Sequence, residues 1–272
     1  MQKKSLEITC YVLGAGAFGV FLRWLQDMLA FDENGLANKS VFHVLVPLVI
    51  LAAAVVFIRF VDMFRTKRYY VPDDFTPAFI NEGKLFSIFR WVSGIIMSLG
   101  AVLLLMSCEV DKYAGLLRVL SVLGFFAGLS YPLLLGAANK GPRIPATLCI
   151  LSMFPILLFA FWLIACYKMN DINSVVWSFS IEIIAIIISM LAYFRIAGFA
   201  FGTPNPGRTM FYCMFGAAMC VMTVADERYL GMQLMFFAAA MQMMLCNWIM
   251  IKNMKQKKVQ AEVPLEDGFD RL

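Results

Sequence analysis

Apolar and polar positions fall in long blocks along this chain rather than in the short amphipathic repeats of a water-soluble fold. Runs of about 20 apolar residues span a hydrocarbon core of about 30 Å at about 1.5 Å per residue. Eight such runs occur, at residues 8–31, 41–63, 85–107, 115–137, 145–167, 174–196, 209–225 and 230–251, the seventh being the shortest. The connections DENGLANKS, EVDKYA, MNDINS and DERY are too short to fold alone, and only residues 65–84 and the segment from Asn253 have any length. The pattern predicts an all-α polytopic membrane bundle of eight transmembrane helices in four hairpins. Residues 1–252 form the membrane domain, and residues 253–272 a cytoplasmic tail predicted to be disordered. No room remains for a soluble catalytic domain.

Composition agrees. The chain is 61% hydrophobic and 15% charged, against about 45–50% and about 25% in soluble domains. The distribution of Lys and Arg sets the orientation. An N-terminus inside places Lys3, Lys4, Arg65, Lys67, Arg68, Lys84, Lys140, Arg143, Arg195, Arg208, Lys252, Lys255, Lys257 and Lys258 on one side, leaving Lys39, Lys112, Lys168 and Arg228 on the other. Both termini are therefore expected in the cytoplasm of a multi-pass cell-membrane protein. The net charge of +5 reports topology. It does not indicate a nucleic-acid partner, which would need the basic residues gathered on one folded face.

Residues 8–19, ITCYVLGAGAFG, carry Gly14, Gly16 and Gly19 in the spacing G-x-G-x-x-G of a dinucleotide fingerprint. That fingerprint needs a parallel sheet and an aqueous pyrophosphate site, whereas here the chain continues apolar to Phe31 and seven more spans follow. The expected role is helix packing, with Ala15 and Gly19 as a small-x-x-x-small face that lets a neighbouring backbone approach. Arg23 follows one turn later.

Seven cysteines make no C-x-x-C and no zinc spacing. Free thiols are the default, with a Cys108–Cys166 disulfide at the outer helix ends as the alternative. The single His43 excludes bis-histidine haem ligation by this chain alone. No H-E-x-x-H, G-x-S-x-G or Walker motif is present. The methionines crowding the last two spans go all round their helices, as core residues do. No cofactor and no metal are implied; whether the chain is an enzyme stays open, with a non-enzyme favoured over a membrane enzyme or quinone-site subunit.

Chemistry, if present, lies in the intramembrane charges, which normally face protein or water. Arg59, Asp62, Arg90 and Arg195 lie near cytoplasmic helix ends, where snorkelling suffices. The outer half is different. Counted at about 1.5 Å per residue, Arg23 and Glu182 lie about 12 Å deep, Asp27 about 6 Å and Arg118 about 5 Å. Arg23 and Asp27 share a helix face at i, i+4, and Ser178, Glu182, Ala185 and Ser189 form one small-polar stripe. Gln233 enters the eighth span at a similar level. In one reading Glu182 neutralises Arg23 or Arg118 and the layer only fixes helix register. In the other the layer lines an outward-open cavity for a small carboxylate or phosphate, which Arg binds through two parallel hydrogen bonds. Pro47, Pro132 and Pro155, with Gly124 and Gly128, supply the helix breaks a cavity needs.

In residues 65–84, Pro77 behind Asp73 and Asp74 predicts a short interfacial helix before the third span. The basic run KNMKQKK faces anionic lipid, and the acidic VQAEVPLEDGFDRL is either a solvated end or a docking peptide for a protein partner.

The first hairpin reads GAGAFGVFLRWLQ and then FDENGL. It resembles multi-pass membrane proteins of Clostridia and related Firmicutes, in which a Gly-rich first helix carries an Arg and a D-x-x-G-L-like turn leads to the second helix. Gly14, Gly16, Gly19, Arg23, Asp32, Gly35 and Leu36 carry the match over about forty residues. The resemblance implies an integral membrane protein of bacterial origin and lends no catalytic residue.

The expected function is small-molecule or ion transport or binding through the outer layer of Arg23, Asp27, Arg118, Glu182 and Gln233, with lipid and a small anionic ligand as partners. The alternative is a non-catalytic subunit of a larger membrane complex, with these charges as internal struts.

Overall fold

The computed structural model describes residues 2–30, 41–67, 69–81, 83–108, 112–139, 146–170, 176–226 and 228–256. The turn residues Asp32, Glu33, Gly35, Leu36, Glu109, Asp111, Asp171 and Glu227, and the tail from Lys257, lie outside these. So does the proposed docking peptide.

The long helices are α1 (Gln2–Leu29), α2 (Phe42–Thr66), α4 (Lys84–Ser107), α5 (Ala114–Ala137), α7 (Met153–Met169), α8 (Val176–Ala200), α9 (Pro206–Met222) and α10 (Leu230–Lys252). Two short helices, α3 (Phe75–Phe79) and α6 (Ala146–Leu151), and a two-stranded pairing of β1 (Tyr69–Tyr70) with β2 (Lys255–Gln256) complete the chain. Among the described residues, seven helical stretches are long and apolar enough to cross a membrane. The fold is an all-α bundle of a polytopic membrane protein. The fifth apolar run is broken at Ser152, between α6 and α7. Pro155 explains the break, since it has no N–H to give to the carbonyl four residues back.

α4, α5, α7, α8, α9 and α10 pack in a ring in which each helix touches the next and α10 closes on α4; α1 lies against α9 and α10, and α2 covers α1 and α9. The seventh run, marginal by length, becomes the innermost helix: from Cys213 to Cys220 every residue of α9 is buried. The perimeter is apolar too, with Phe18, Phe21, Leu51, Val55, Ile95, Leu99, Val122 and Phe126 exposed. An apolar outside around an apolar inside is the arrangement lipid solvates.

Because lipid offers no hydrophobic drive for association, close backbone approach matters. At the α4–α5 crossing, a Cβ on Gly94 would sit 2.6 Å from the Gly128 carbonyl, and one on Gly128 2.7 Å from the Gly94 carbonyl. On the other side of α4, a Cβ on Gly100 would meet the Gly231 carbonyl at 2.8 Å. α4 is thus seated between α5 and α10 by glycine on both flanks. The triplet of α1 behaves similarly, with one change of residue. Gly16 and Gly19 face α9, where a Cβ would come within 2.9 Å of Val221 and 3.0 Å of Met222, while Gly14 faces open space and Ala15 is only half-buried.

The short helix before α4 forms at Phe75–Phe79, but Phe75 and Phe79 are buried rather than laid on lipid. Phe79 stacks edge-on against Phe199 of α8. The β1–β2 pairing joins the segment after α2 to the segment after α10, and Lys4 lies over the Tyr69 ring. One end of the bundle therefore carries the start of α1 and the ends of α2 and α10.

Candidate functional site

The opposite end holds the charge layer. Arg23 projects from α1, one turn beyond the Gly19 contact with α9, and is 3% exposed at its side chain. Its Nε donates to Asp226 Oδ1 at 2.7 Å, its Nη1 to Gln26 Oε1 at 2.8 Å, and its Nη2 lies 3.5 Å from Asp27. Asp226 follows the 3₁₀ turn Thr223–Ala225 that extends α9. Its other oxygen pairs with Arg228 Nη2. The same Nη2 reaches Glu182 Oε2 of α8 at 3.2 Å, and Glu182 Oε1 accepts from Trp162 Nε1 of α7 at 3.2 Å. The result is an alternating chain, Arg23–Asp226–Arg228–Glu182–Trp162, across α1, the α9–α10 turn, α8 and α7. Apart from Asp27, at 39% exposure, its ionic side chains are 10% exposed or less. At low dielectric the alternation of opposite charges offsets the cost of burying them, although Arg228 Nη1 is left buried without an acceptor.

Of the five sequence candidates, Arg23, Asp27 and Glu182 enter this network, and Gln233 supports it by donating from Nε2 to the Asp226 carbonyl at 3.0 Å. Arg118 does not. It is exposed on α5, whose buried face at this level is Leu117, Leu120 and Ser121. The second arginine of the layer is Arg228, which the sequence places in an outer turn together with Asp226. Asp226 and Arg228 lie over the start of α10 instead. Carboxylate oxygens of Asp226 and Glu182 meet there, and Arg228 lies 5.5 Å over the Phe236 ring. The guanidinium is the donor they need.

Beneath the ions the bundle is closely packed and aromatic. Trp162, Phe159 and Tyr193 stack at centroid distances of 5.7 and 5.5 Å, and Phe236 closes on Trp162 at 4.2 Å. A polar line continues below. Ser189 Oγ lies 3.1 Å from Cys220 Sγ, Tyr193 donates to Gln242 Oε1 at 2.6 Å, and Tyr131 donates to the Gln242 carbonyl at 2.6 Å. Ser189 and Ala185 of the predicted α8 stripe do face inward; nothing is described of the Ser178 side chain. Cys108 and Cys166 are both free thiols. Among the described residues no three or more His, Cys, Asp or Glu side chains come together as metal ligands.

Near the hairpin of α1 and α2, Gln26 Nε2 lies 3.4 Å from His43 Nδ1, and His43 Nε2 is 2.9 Å from the Ala30 carbonyl. The histidine thus closes the first hairpin at a helix end. That contact joins Arg23, through Gln26, to α2.

The chain matches no protein-family model, no curated protein and no solved structure.

Proposed function

We propose that this chain is a non-catalytic, eight-span protein of a bacterial cell membrane, with both termini cytoplasmic. In it the outer charge layer is an internal clamp, and the protein works through what it binds elsewhere. The observation that carries this reading is the alternation of the four buried ions, in which Asp226 and Arg228 fill the space between Arg23 and Glu182 that an anionic ligand would occupy. For the eighth span, α9 and its 3₁₀ turn together make about 20 residues, or about 30 Å of helix at about 1.5 Å each. For the orientation, Lys4, Arg65, Lys67, Lys84, Arg195, Arg208, Lys252 and Lys255 share the β1–β2 end, against Lys112, Lys168 and Arg228 at the other.

The test uses the order of charges. Arg228→Met leaves Glu182 buried without its cation, and removing one partner of a buried pair costs about 3–5 kcal/mol. Adding Glu182→Gln leaves the Arg23–Asp226 pair intact and neutral, so the double variant recovers most of the loss. Thermal and denaturant unfolding in detergent micelles measures both. A double variant no more stable than Arg228→Met overturns the clamp.

A second reading, transport, has one observation of its own. Glu182, Ser189 and Tyr193 lie along the inward side of α8 and meet Gln242 of α10, and deep polar groups of this kind often mark a solute or proton path. Proton flux into proteoliposomes under an imposed potential, abolished by Glu182→Gln, would favour it.

A further inference from the structure

The β1–β2 end contains a cleft between the start of α4, the end of α5 and the end of α10, lined by Phe79, Asn81, Ser87, Arg90, Leu135 and Asn139 among others. Its polar groups are arranged unlike those of the charge layer. Asn81 is held by a reciprocal pair of hydrogen bonds with Asn139: its N–H donates to Asn139 Oδ1 at 2.9 Å, and its carbonyl accepts from Asn139 Nδ2 at 2.8 Å. Its side-chain oxygen accepts from the Gly83 N–H and from Lys252 Nζ, both at 3.1 Å. Two donors on that atom fix which end of the amide is oxygen. Asn81 Nδ2 is then left buried, with no acceptor, on a residue only 8% exposed.

Arg90 faces the same cleft from the second turn of α4. Nη2 makes one long bond to Ser87 Oγ at 3.4 Å, and Nε is buried without an acceptor. The guanidinium is set against α5 where Gly136 leaves it room, a Cβ there coming within 3.1 Å of Nη1. Lys252 adds a second cation, 5.1 Å over the Phe86 ring. Among the described residues no carboxylate pairs with Arg90 or Lys252, since every ion pair belongs to the charge layer. Glu82, next to Asn81, lies outside the described residues. Unmet N–H donors and two cations, with no counter-charge among the described residues, form the complement of a tetrahedral or planar oxyanion.

We propose that this cleft binds a phosphate group, with Asn81 Nδ2 and the Arg90 guanidinium as its principal donors and Lys252 as a nearby cation. The phosphate belongs either to an anionic phospholipid headgroup, for which basic pockets between helix ends are suited, or to a soluble phosphate. This site is independent of the clamp proposed above.

The test is thermal unfolding of the full chain with each phosphate source. Sodium phosphate is titrated against sodium chloride of equal ionic strength in micelles, and nanodiscs of phosphatidylglycerol are compared with phosphatidylcholine. One of the two sources stabilises the wild type, and which one does identifies the ligand. Arg90→Gln weakens that binding tenfold or more. Asn81→Asp does the same while keeping the acceptor for Gly83 and Lys252 and turning the free donor into a second acceptor. Arg208→Gln, an exposed cation outside the cleft, leaves it unchanged. If Asn81→Asp fails to fold, Arg90→Gln decides alone, because Arg90 loses a single long hydrogen bond. The proposal is overturned if neither source stabilises the wild type beyond its control, or if Arg90→Gln retains the full effect. It is also overturned if phosphate acts only on Glu82→Gln, since the chain's own carboxylate would then occupy the cleft. None of these outcomes depends on Arg228 or Glu182, so the two proposals fail separately.

Discussion

Arginine packs against the helices at both ends of the bundle, buried as Arg23 and partly exposed as Arg90, and the two are treated in opposite ways. At one end Arg23 has an acceptor for each of its three nitrogens, two of them carboxylates, and its neighbour Arg228 bridges two more carboxylate contacts. At the other, Arg90 has one long bond to a hydroxyl, and the described residues lining the cleft with it are Asn81, Asn139, Ser87 and apolar side chains. Depth in the membrane does not separate a strut from a site here. The deeper arginine is the satisfied one, and the shallower keeps hydrogen-bonding capacity to spare. A buried cation whose partners are all in the chain has nothing left to offer a ligand.

The most damaging single change follows from that contrast. Asp226 pairs with both arginines, so Asp226→Asn leaves two guanidinium groups with Glu182 as the only buried counter-ion among the described residues. The expected loss is about 3–5 kcal/mol, the range for breaking a buried pair. It is read as a fall in unfolding midpoint in micelles, together with lower yield of folded protein. If Asp226→Asn costs no more than a substitution at the rim of the layer, the satisfied end is not a clamp and the contrast between the ends collapses.

Much of this was legible along the chain, and the failures have physical causes. Span limits such as 115–137 and 85–107 match α5 and α4 within a residue, because the hydrocarbon thickness imposes a run length that no soluble core requires. Arg23 and Glu182 stood out for the same reason: a charge inside such a run is rare. Arg118 was misjudged because a membrane helix is apolar on both its inner and outer faces. Hydropathy therefore cannot say that Leu117 and Ser121 point in while Arg118 points out. Asp226 and Arg228 were missed for the converse reason. A four-residue turn between spans reads as water-facing, and only the inward fold after the 3₁₀ turn shows that these residues complete the layer. Arg90, expected near a cytoplasmic helix end, shares with Arg195 a buried Nε that has no acceptor, which no spacing reports.

A smaller effect sharpens the boundary of the clamp. Asp27 sits 3.5 Å from Arg23, one helical turn away, yet its side chain is 39% exposed while those of Asp226 and Glu182 are nearly covered. A pair open to water gains little, because solvent screens it and the side chain gives up freedom to form it; about 0–1 kcal/mol is usual. Asp27→Asn is expected to fall in that range in the same unfolding assay. A cost comparable with that of Asp226→Asn would extend the satisfied region outward and make Asp27 an integral member of it.

The smallest effect belongs to the other end. Without a phosphate source, Arg90→Gln removes a cation with no counter-ion among the described residues and one hydrogen bond of 3.4 Å, while the glutamine stem still covers part of the apolar wall. Removing an unpaired buried charge relieves desolvation about as much as the lost bond costs. The expected change in unfolding midpoint in phosphate-free detergent is therefore close to zero, with either sign small. A large loss under those conditions would mean that Arg90 is held by the chain after all, as Arg23 is, and the two ends would then be alike. A near-zero change without phosphate, growing as phosphate or phosphatidylglycerol is added, would show the spare capacity of this end as a dependence on ligand that the opposite end lacks.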